Sequence, residues 1–277
     1  MRPLLILLGL VCLPVVAAEE KRLVDVEYAK AGDVSLRLDA VVPEGDGPFP
    51  IAILIHGGGW GSGDKAQDFG ALEGPLAKSG IAWFSINYRL APEHRWPACI
   101  EDVQAAICWV KAHAAEYRCD PKRVALVGYS AGGQLAALAA IRAEGEARVQ
   151  AVVGLAPAVE LVEDTKRRGP VVGPAMRNLL DLPEAMDEAA LKKIATISPA
   201  EEVRAGLPPF LLVQGTADKS VRHLDTLAFA ERLKKVEVAC EVFEMKDAQH
   251  RIADWGKFSP EYGEKVAEWL KGVWGKQ

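Results

Sequence analysis

Predominantly apolar runs of four to seven residues recur along this chain, and longer stretches with helical spacing lie between them. Ile51–Ile55, Ile81–Ile86, Val124–Val127, Val149–Leu155, Phe210–Val213 and Cys240–Met245 are of the first kind. A strand covered on both faces reads as such a run, because neither side chain direction meets water. Pro97–Tyr117, Ala131–Ile141, His223–Lys235 and Pro260–Val273 are of the second kind, and Pro97 suits a first helical turn. Strand and helix alternating in this order predict an α/β fold, with a mainly parallel central sheet and helices on both faces. Leu23–Tyr28 and Val34–Val42 instead alternate apolar and polar, which predicts a half-buried antiparallel edge. The Gly- and Pro-rich stretch from Pro43 to Pro50 is a turn region.

The 277 residues suffice for one large α/β domain with a substantial core. A formal net charge of −5 without a Lys/Arg cluster argues against nucleic acid or an anionic membrane as the main partner. The N-terminus is different in kind. Arg2, the apolar run Leu4–Val16 and the small residues Val16-Ala17-Ala18 predict a cleavable signal peptide over residues 1–18, and hence a secreted or periplasmic protein. The run is shorter than the ~20 residues of a spanning helix, so no stable membrane insertion is expected after cleavage. Lipid anchoring at Cys12 is disfavoured by Val11, which stands where a small residue belongs. Cys99, Cys108, Cys119 and Cys240 remain. Cys99 and Cys108 would lie roughly 13 Å apart along one helix, too far for a disulfide, so mostly buried free thiols are expected. No C-x-x-C or paired His/Cys spacing points to zinc.

From about Ala158 to Ser198 no strong strand is visible, and Lys166, Arg167 and Arg168 precede Gly and Pro residues and a short helical piece. A connection this long is usually functional. Residues 158–198 are therefore expected to cover a site within a domain spanning 19–277.

Gly128-Tyr129-Ser130-Ala131-Gly132-Gly133 contains a G-x-S-x-G pattern. By chance such a pattern occurs in about one chain in ten of this length. Its placement gives it weight: it follows the run Val124–Val127 and opens the helix at Ala131, as a nucleophile elbow requires. Ser130 is the candidate nucleophile. His56-Gly57-Gly58-Gly59-Trp60 follows the run Ile51–Ile55. Successive glycines can aim backbone N–H groups at a developing oxyanion. Gly58, Gly59 and Ala131 are the candidate donors. A phosphate loop would want Lys-Ser/Thr after the glycines, where Trp60-Gly61 stands.

A serine nucleophile needs a base, and the base an orienting acid. His250, in the loop after the last strand run, is the candidate base, and His223 its rival. His56 belongs to the glycine motif as a brace, His94 to a Pro-rich loop, and His113 to a helix. Asp218 follows the run Phe210–Val213 and is the candidate acid, with Asp225 and Asp247 as alternatives. The chain order Ser130, Asp218, His250 fits a strand–turn–helix hydrolase.

The motifs H-G-G-G-W, Asn87-Tyr88-Arg89-Leu90-Ala91-Pro92-Glu93-His94 and G-Y-S-A-G-G together resemble those of the hormone-sensitive-lipase-like esterases of the α/β-hydrolase fold. Gln214-Gly215-Thr216-Ala217-Asp218-Lys219-Ser220-Val221 is closer to the bacterial feruloyl and acetyl-xylan esterase-like branch. The resemblance covers nearly the whole chain beyond residue 18. It implies a Ser130–Asp218–His250 triad, oxyanion donors at Gly58, Gly59 and Ala131, and Arg89 and Glu93 as braces beside the site. Gln214 stands where that branch often has His, and Arg251-Ile252 where Gly-Phe or Gly-Trp is common. The implied activity is hydrolysis of short-chain carboxylic esters without metal or cofactor. The expected substrate is a small-molecule or polysaccharide-linked ester, such as an acetyl or feruloyl ester of plant polysaccharide, with Trp60 a candidate for substrate contact or for loop packing. An exopeptidase or amidase of the same fold is the alternative; those usually add a large N-terminal domain. A non-catalytic binding module would require a lost triad residue, and none is missing. The motifs leave the oligomeric state open.

Overall fold

A computed structural model describes residues 20–275. The signal peptide expected over residues 1–18 lies outside the described residues. In chain order the elements are β1 (Lys21–Ala31), β2 (Val34–Val42), β3 (Phe49–Ile55), α1 (Gly70–Lys78), β4 (Ala82–Ile86), α2 (Ala98–Ala112), β5 (Cys119–Tyr129) and α3 (Ala131–Arg142). There follow β6 (Ala151–Leu155), α4 (Leu161–Arg168), α5 (Pro174–Leu180), α6 (Glu188–Ala195), β7 (Phe210–Gly215), α7 (His223–Lys235), β8 (Cys240–Met245) and α8 (Tyr262–Trp274).

The eight strands form one sheet in the order β1-β2-β4-β3-β5-β6-β7-β8. Pairing is parallel from β4 to β8 and antiparallel for β1·β2 and β2·β4, so the amphipathic first two strands form the expected edge. Side chains alternate between two cores. Ile51, Ile53 and Ile55 of β3 pack on one face, with α2, α3 and α7, while Ala52 and Leu54 pack on the other, with α1 and α8. Burial on both faces is why these strands read as unbroken apolar runs. Chain order reverses at β3, whose neighbours are β4 and β5. The crevice beyond the carboxyl ends of parallel strands at such a switch point is where ligands bind.

Several expectations need correction. The helix expected over Pro97–Tyr117 stops at Ala112; a 3-10 turn, Ala114–Tyr117, follows, and Arg118 closes it in the left-handed region at φ +53°. β8 is only half-buried, with Glu241 and Glu244 exposed, because it is the sheet's outer strand. Among the described cysteines all four are free, but only Cys99 and Cys119 are buried. Cys108 faces solvent on α2. Burial pushes the Cys99 and Cys119 thiols up to about 12, so neither ionises near neutrality. The 158–198 segment contains three helices, α4 to α6, and a bridge between Val171 and Ala185. No described helix is long and apolar enough to cross a membrane.

Candidate active site

Ser130 sits between β5 and α3 at φ +52°, ψ −116°. A non-glycine residue held there costs roughly 1–3 kcal/mol and persists only where its surroundings impose it. Here the Ser130 N–H donates to the Leu155 carbonyl at 2.9 Å, and the Ser130 carbonyl accepts from Gln134 N–H at 3.1 Å. The two flanking glycines make the turn possible. A Cβ on Gly128 would collide with the Gly132 carbonyl, and one on Gly132 with the carbonyl of Ile55 in β3. The elbow is thereby pressed against the strand that carries the glycine loop.

His250 follows β8 and Asp218 follows β7, and the two loops are bonded to each other. Ala217 N–H donates to the Ala248 carbonyl at 3.0 Å, and Asp247 N–H to Thr216 Oγ1 at 2.8 Å. His250 Nε2 lies 3.0 Å from Ser130 Oγ, and His250 Nδ1 lies 2.7 Å from Asp218 Oδ2. With Nδ1–H donating to the carboxylate, Nε2 is left as the acceptor for the serine hydroxyl. The Asp218 side chain is fully buried, but its charge is answered on every side. Oδ1 accepts from Ser220 N–H at 2.8 Å and Val221 N–H at 2.9 Å, and Oδ2 accepts from Gln214 Nε2 at 3.0 Å as well as from His250. A buried carboxylate is tolerable only with bonds of this kind.

The rival residues are committed elsewhere. His223 Nε2 is 2.6 Å from Glu244 Oε2, His113 Nδ1 donates to the Trp109 carbonyl, and His56 Nδ1 donates to the Gly57 carbonyl. Asp225 pairs with Arg167 at 2.6 Å, and Asp247 is exposed. Burial holds His56 below the ordinary histidine range, and its ring stacks on Tyr88 at 4.3 Å. The bracing expected of Arg89 is visible in its bonds to Asp102 at 2.7–3.0 Å. Glu93, expected to brace as well, is exposed and bonds to no described residue.

Gly58 and Gly59 take left-handed backbone at φ +105° and +58°. Their N–H groups, like that of Ala131 at the first turn of α3, donate to no acceptor among the described residues. Trp60 is 5% exposed, and its Nε1 donates to Gln134 Oε1 at 2.9 Å, with Gln134 Nε2 in turn donating to the Ile197 carbonyl at 2.7 Å. The ring is thus fixed as a wall rather than free to swing.

Two cavities meet at Ser130. One, of about 330 Å³, has an apolar wall from Trp60, Leu161, Val171, Pro174, Ala175 and Met176, and a polar side from Asp164, Thr165 and Arg168. The other, of about 580 Å³, is lined by the glycine loop with Ser62, Gln67, Asp68 and Tyr129. Gly59, Ser130, Ser220 and His250 border both. Residues of 158–198 therefore form much of the apolar cavity. Among the described residues, no group of three or more His, Cys, Asp or Glu is placed to hold a metal ion.

Two contributors were not legible beforehand. Gln214, in β7, holds Asp218 and the Val221 carbonyl and accepts from Thr226 Oγ1 at 2.8 Å. Tyr129 packs its ring 5.3 Å from that of His250 and donates its O–H to the His250 carbonyl at 2.7 Å. The only sequence signals were the Gln in a place that often carries His and the aromatic residue inside the elbow motif.

This sheet, elbow and pair of late loops define an α/β-hydrolase. A truncated carbohydrate esterase from gut microbiota shares the fold, with a TM-score of 0.77 over 91% of this chain and 96% of that one at 24% identity. An esterase of the Planctomycetes species Thermogutta terrifontis, solved with propionate bound, matches with a TM-score of 0.74 over 92% and 94% of the two chains at 27% identity. Within that class the chain belongs to the BD-FAE family, whose model matches residues 38–233. Esterase LipC of Mycobacterium tuberculosis is 34% identical over 206 residues, which is 68% of this chain and 49% of LipC. The chain spans about half the length of LipC and of the related mycobacterial LipM and LipQ. The resemblance drawn from the motifs thus agrees with esterase relatives in both sequence and fold.

Proposed function

We infer that this protein is a serine carboxylic-ester hydrolase. The observation that carries the reading is the Asp218–His250–Ser130 chain of contacts, at 2.7 and 3.0 Å, facing three undonated N–H groups. Ser130 Oγ attacks the ester carbonyl carbon while His250 Nε2 takes its proton, and Asp218 stabilises the imidazolium. The carbonyl oxygen, now negative, is bound by the N–H groups of Gly58, Gly59 and Ala131. Fixed donors at that point are worth several kcal/mol, about 3–4 for one donor. The tetrahedral intermediate collapses, the C–O bond to the alcohol breaks, and His250 returns the proton to the leaving oxygen. Water then attacks the acyl-serine by the same route and releases the acid.

The apolar cavity suits the acyl group and the more polar one the alcohol. Asp164 and Arg168 in the acyl wall favour acetyl to butyryl groups, or an aromatic acyl group with a polar end such as feruloyl, over long aliphatic chains. Polar Ser62 and Gln67 on the other side favour a hydroxyl-rich alcohol such as a plant polysaccharide. The apolar run Leu4–Val16 with Ala17-Ala18 supports an exported enzyme, and N-terminal sequencing of the secreted or periplasmic protein should begin at Glu19. The test of the activity is a panel of nitrophenyl esters of rising chain length beside aminoacyl amides. The expected result is a maximum in kcat/KM at acetate to butyrate, a fall by octanoate, little amide cleavage, and loss of ester cleavage in Ser130→Ala with the fold retained. Wild-type turnover in that variant would refute the nucleophile, and a maximum at decanoate would refute the short-chain reading.

A further inference from the structure

The glycine loop is held at a point one residue before its first donor. The Gly57 carbonyl takes hydrogen bonds from His56 Nδ1 at 2.8 Å and from the Tyr88 hydroxyl at 3.3 Å. The Gly57 N–H, buried with the rest of this residue, is taken by Asp68 Oδ2 at 2.9 Å. Gly57 also lies directly against the elbow: a Cβ there would come 2.7 Å from Tyr129 Cδ1 and 3.3 Å from Ser130 Cβ. The position of Gly57 therefore sets the distance between the glycine loop and the nucleophile.

Asp68 is itself unusual. It stands at φ +73°, just before α1, a conformation that non-glycine residues adopt rarely and at a cost. Asn and Asp tolerate it better than other side chains, and Gly tolerates it freely. At such a position a glycine would satisfy the backbone alone. A carboxylate there is accounted for by what it touches, and its only hydrogen bond among the described residues is to Gly57 N–H. The same carboxylate lines the cavity beside Ser130.

We propose that Asp68 is a positioning residue for the oxyanion hole: it grips Gly57 N–H and so fixes Gly58 and Gly59 N–H at the distance from Ser130 that the tetrahedral intermediate requires. The proposal rests on the esterase reading above. It acts through Gly57 and does not place Asp68 in contact with the reacting atoms. Its effect belongs to the transition state, so it falls on kcat rather than KM.

Two variants that both accept the left-handed backbone isolate the hydrogen bond from the fold. Asp68→Gly removes the acceptor and relieves the backbone. Asp68→Asn keeps an acceptor oxygen and removes the charge. On nitrophenyl acetate, Asp68→Gly should lower kcat about 10- to 100-fold, up to the ~10²-fold cost of a group misplaced by about 1 Å and short of the ~10²–10³-fold cost of a donor lost outright, with KM within about threefold and a melting temperature near that of the wild type. Asp68→Asn should keep kcat within about threefold of the wild type. A phenylboronic acid, which forms a tetrahedral adduct on the serine, should lose affinity for Asp68→Gly by a factor similar to the loss in kcat, while inhibition by the carboxylic acid product stays level. Wild-type kcat in Asp68→Gly would overturn the proposal. So would an Asp68→Asn as slow as Asp68→Gly, which would assign the effect to charge, or a loss confined to melting temperature. Ser130→Ala separates the two levels of inference: an active Ser130→Ala refutes the esterase reading itself, whereas an inactive Ser130→Ala beside a fully active Asp68→Gly refutes only the role of Asp68.

Discussion

Replacing Gln214 with leucine removes one of the four hydrogen bonds that hold the Asp218 carboxylate, and the structure sets the size of the effect. Gln214 is fully buried. Its Nε2 donates to Asp218 Oδ2 at 3.0 Å and to the Val221 carbonyl at 3.2 Å, and its Oε1 accepts from Thr226 Oγ1 at 2.8 Å. A bond to a charged group contributes about 1.5–3 kcal/mol net, and each neutral one about 0.5–1.5 kcal/mol. Burying a leucine instead offsets roughly 1–2 kcal/mol of that sum, which leaves a destabilisation of about 0.5–5 kcal/mol. At ~2–4 °C per kcal/mol for a domain of this size, the melting temperature should fall by roughly 1–20 °C. Asp218 keeps its charge and its bonds to Ser220 N–H, Val221 N–H and His250, so catalysis should weaken rather than vanish. We expect kcat to fall about tenfold with KM nearly unchanged, since the imidazolium that Asp218 stabilises exists only along the reaction path. Circular-dichroism melting and steady-state kinetics on nitrophenyl acetate measure both quantities. A lower melting temperature with wild-type kcat would show that Gln214 only fills the core, and the argument that it orients the acid would fail.

Two further outcomes follow from the site. His250→Ala should cost several orders of magnitude in kcat, and His223→Ala little, because His223 is bonded to Glu244 rather than to the nucleophile or the acid; the reverse ranking in steady-state kinetics would move the base to His223. For His56, burial favours the neutral ring and lowers its pKa in the folded state. Below about pH 6.5 the unfolded chain takes up a proton on His56 that the folded chain resists. This residue's contribution to stability is thus present above that pH and is lost as pH falls toward the folded value. Melting temperature should decline between pH 7 and 5, and the decline should be shallower in His56→Asn; equal slopes would show that other groups carry it.

The central strands were legible because burial on both faces leaves no polar position in them, as Ile51–Ile55 and Phe210–Val213 show. Ser130 and Asp218 could be named because each follows such a strand, and His250 because it lies in the loop after the last strand; the strand order then brings the ends of β5, β7 and β8 to one crevice. Helix α1 was not legible. Gly70, Gly74 and Pro75 all disfavour a helix, and it forms through packing: Leu72 and Leu76 join the core that Val266, Ala267 and Leu270 of α8 also fill. The half-exposure of β8 follows from its place at the sheet edge, which local sequence does not encode. Gln214 and Tyr129 were missed for a related reason. Their roles depend on which loop lies above them, and composition is silent about that.

The cover shows the same division, with a consequence for specificity. Counting Glu160, Glu163, Asp164, Lys166, Arg167 and Arg168 suggests a charged surface over the site that no apolar chain would enter. The fold disposes of most of these charges elsewhere. Buried Glu160 pairs with Arg232 at 2.7 Å, Glu163 with Lys166 at 2.8 Å, and Arg167 with Asp164 and Asp225 at 2.6 Å. Of the six, only Asp164 and Arg168 border the 330 Å³ cavity, where Arg168 Nε donates to Asp164 Oδ2 and Arg168 Nη2 to the Ser220 carbonyl. Leu161, Val171 and Met176 supply apolar wall beside them. The first carbons of an acyl chain therefore meet apolar surface, where each buried CH₂ is worth about 0.8 kcal/mol, or roughly fourfold in kcat/KM. A chain long enough to reach the Asp164–Arg168 pair must strip water from ionised groups without replacing it, and the gain per carbon ends there. The proposed short-chain optimum thus depends on one ion pair in the wall rather than on the charge of the segment as a whole.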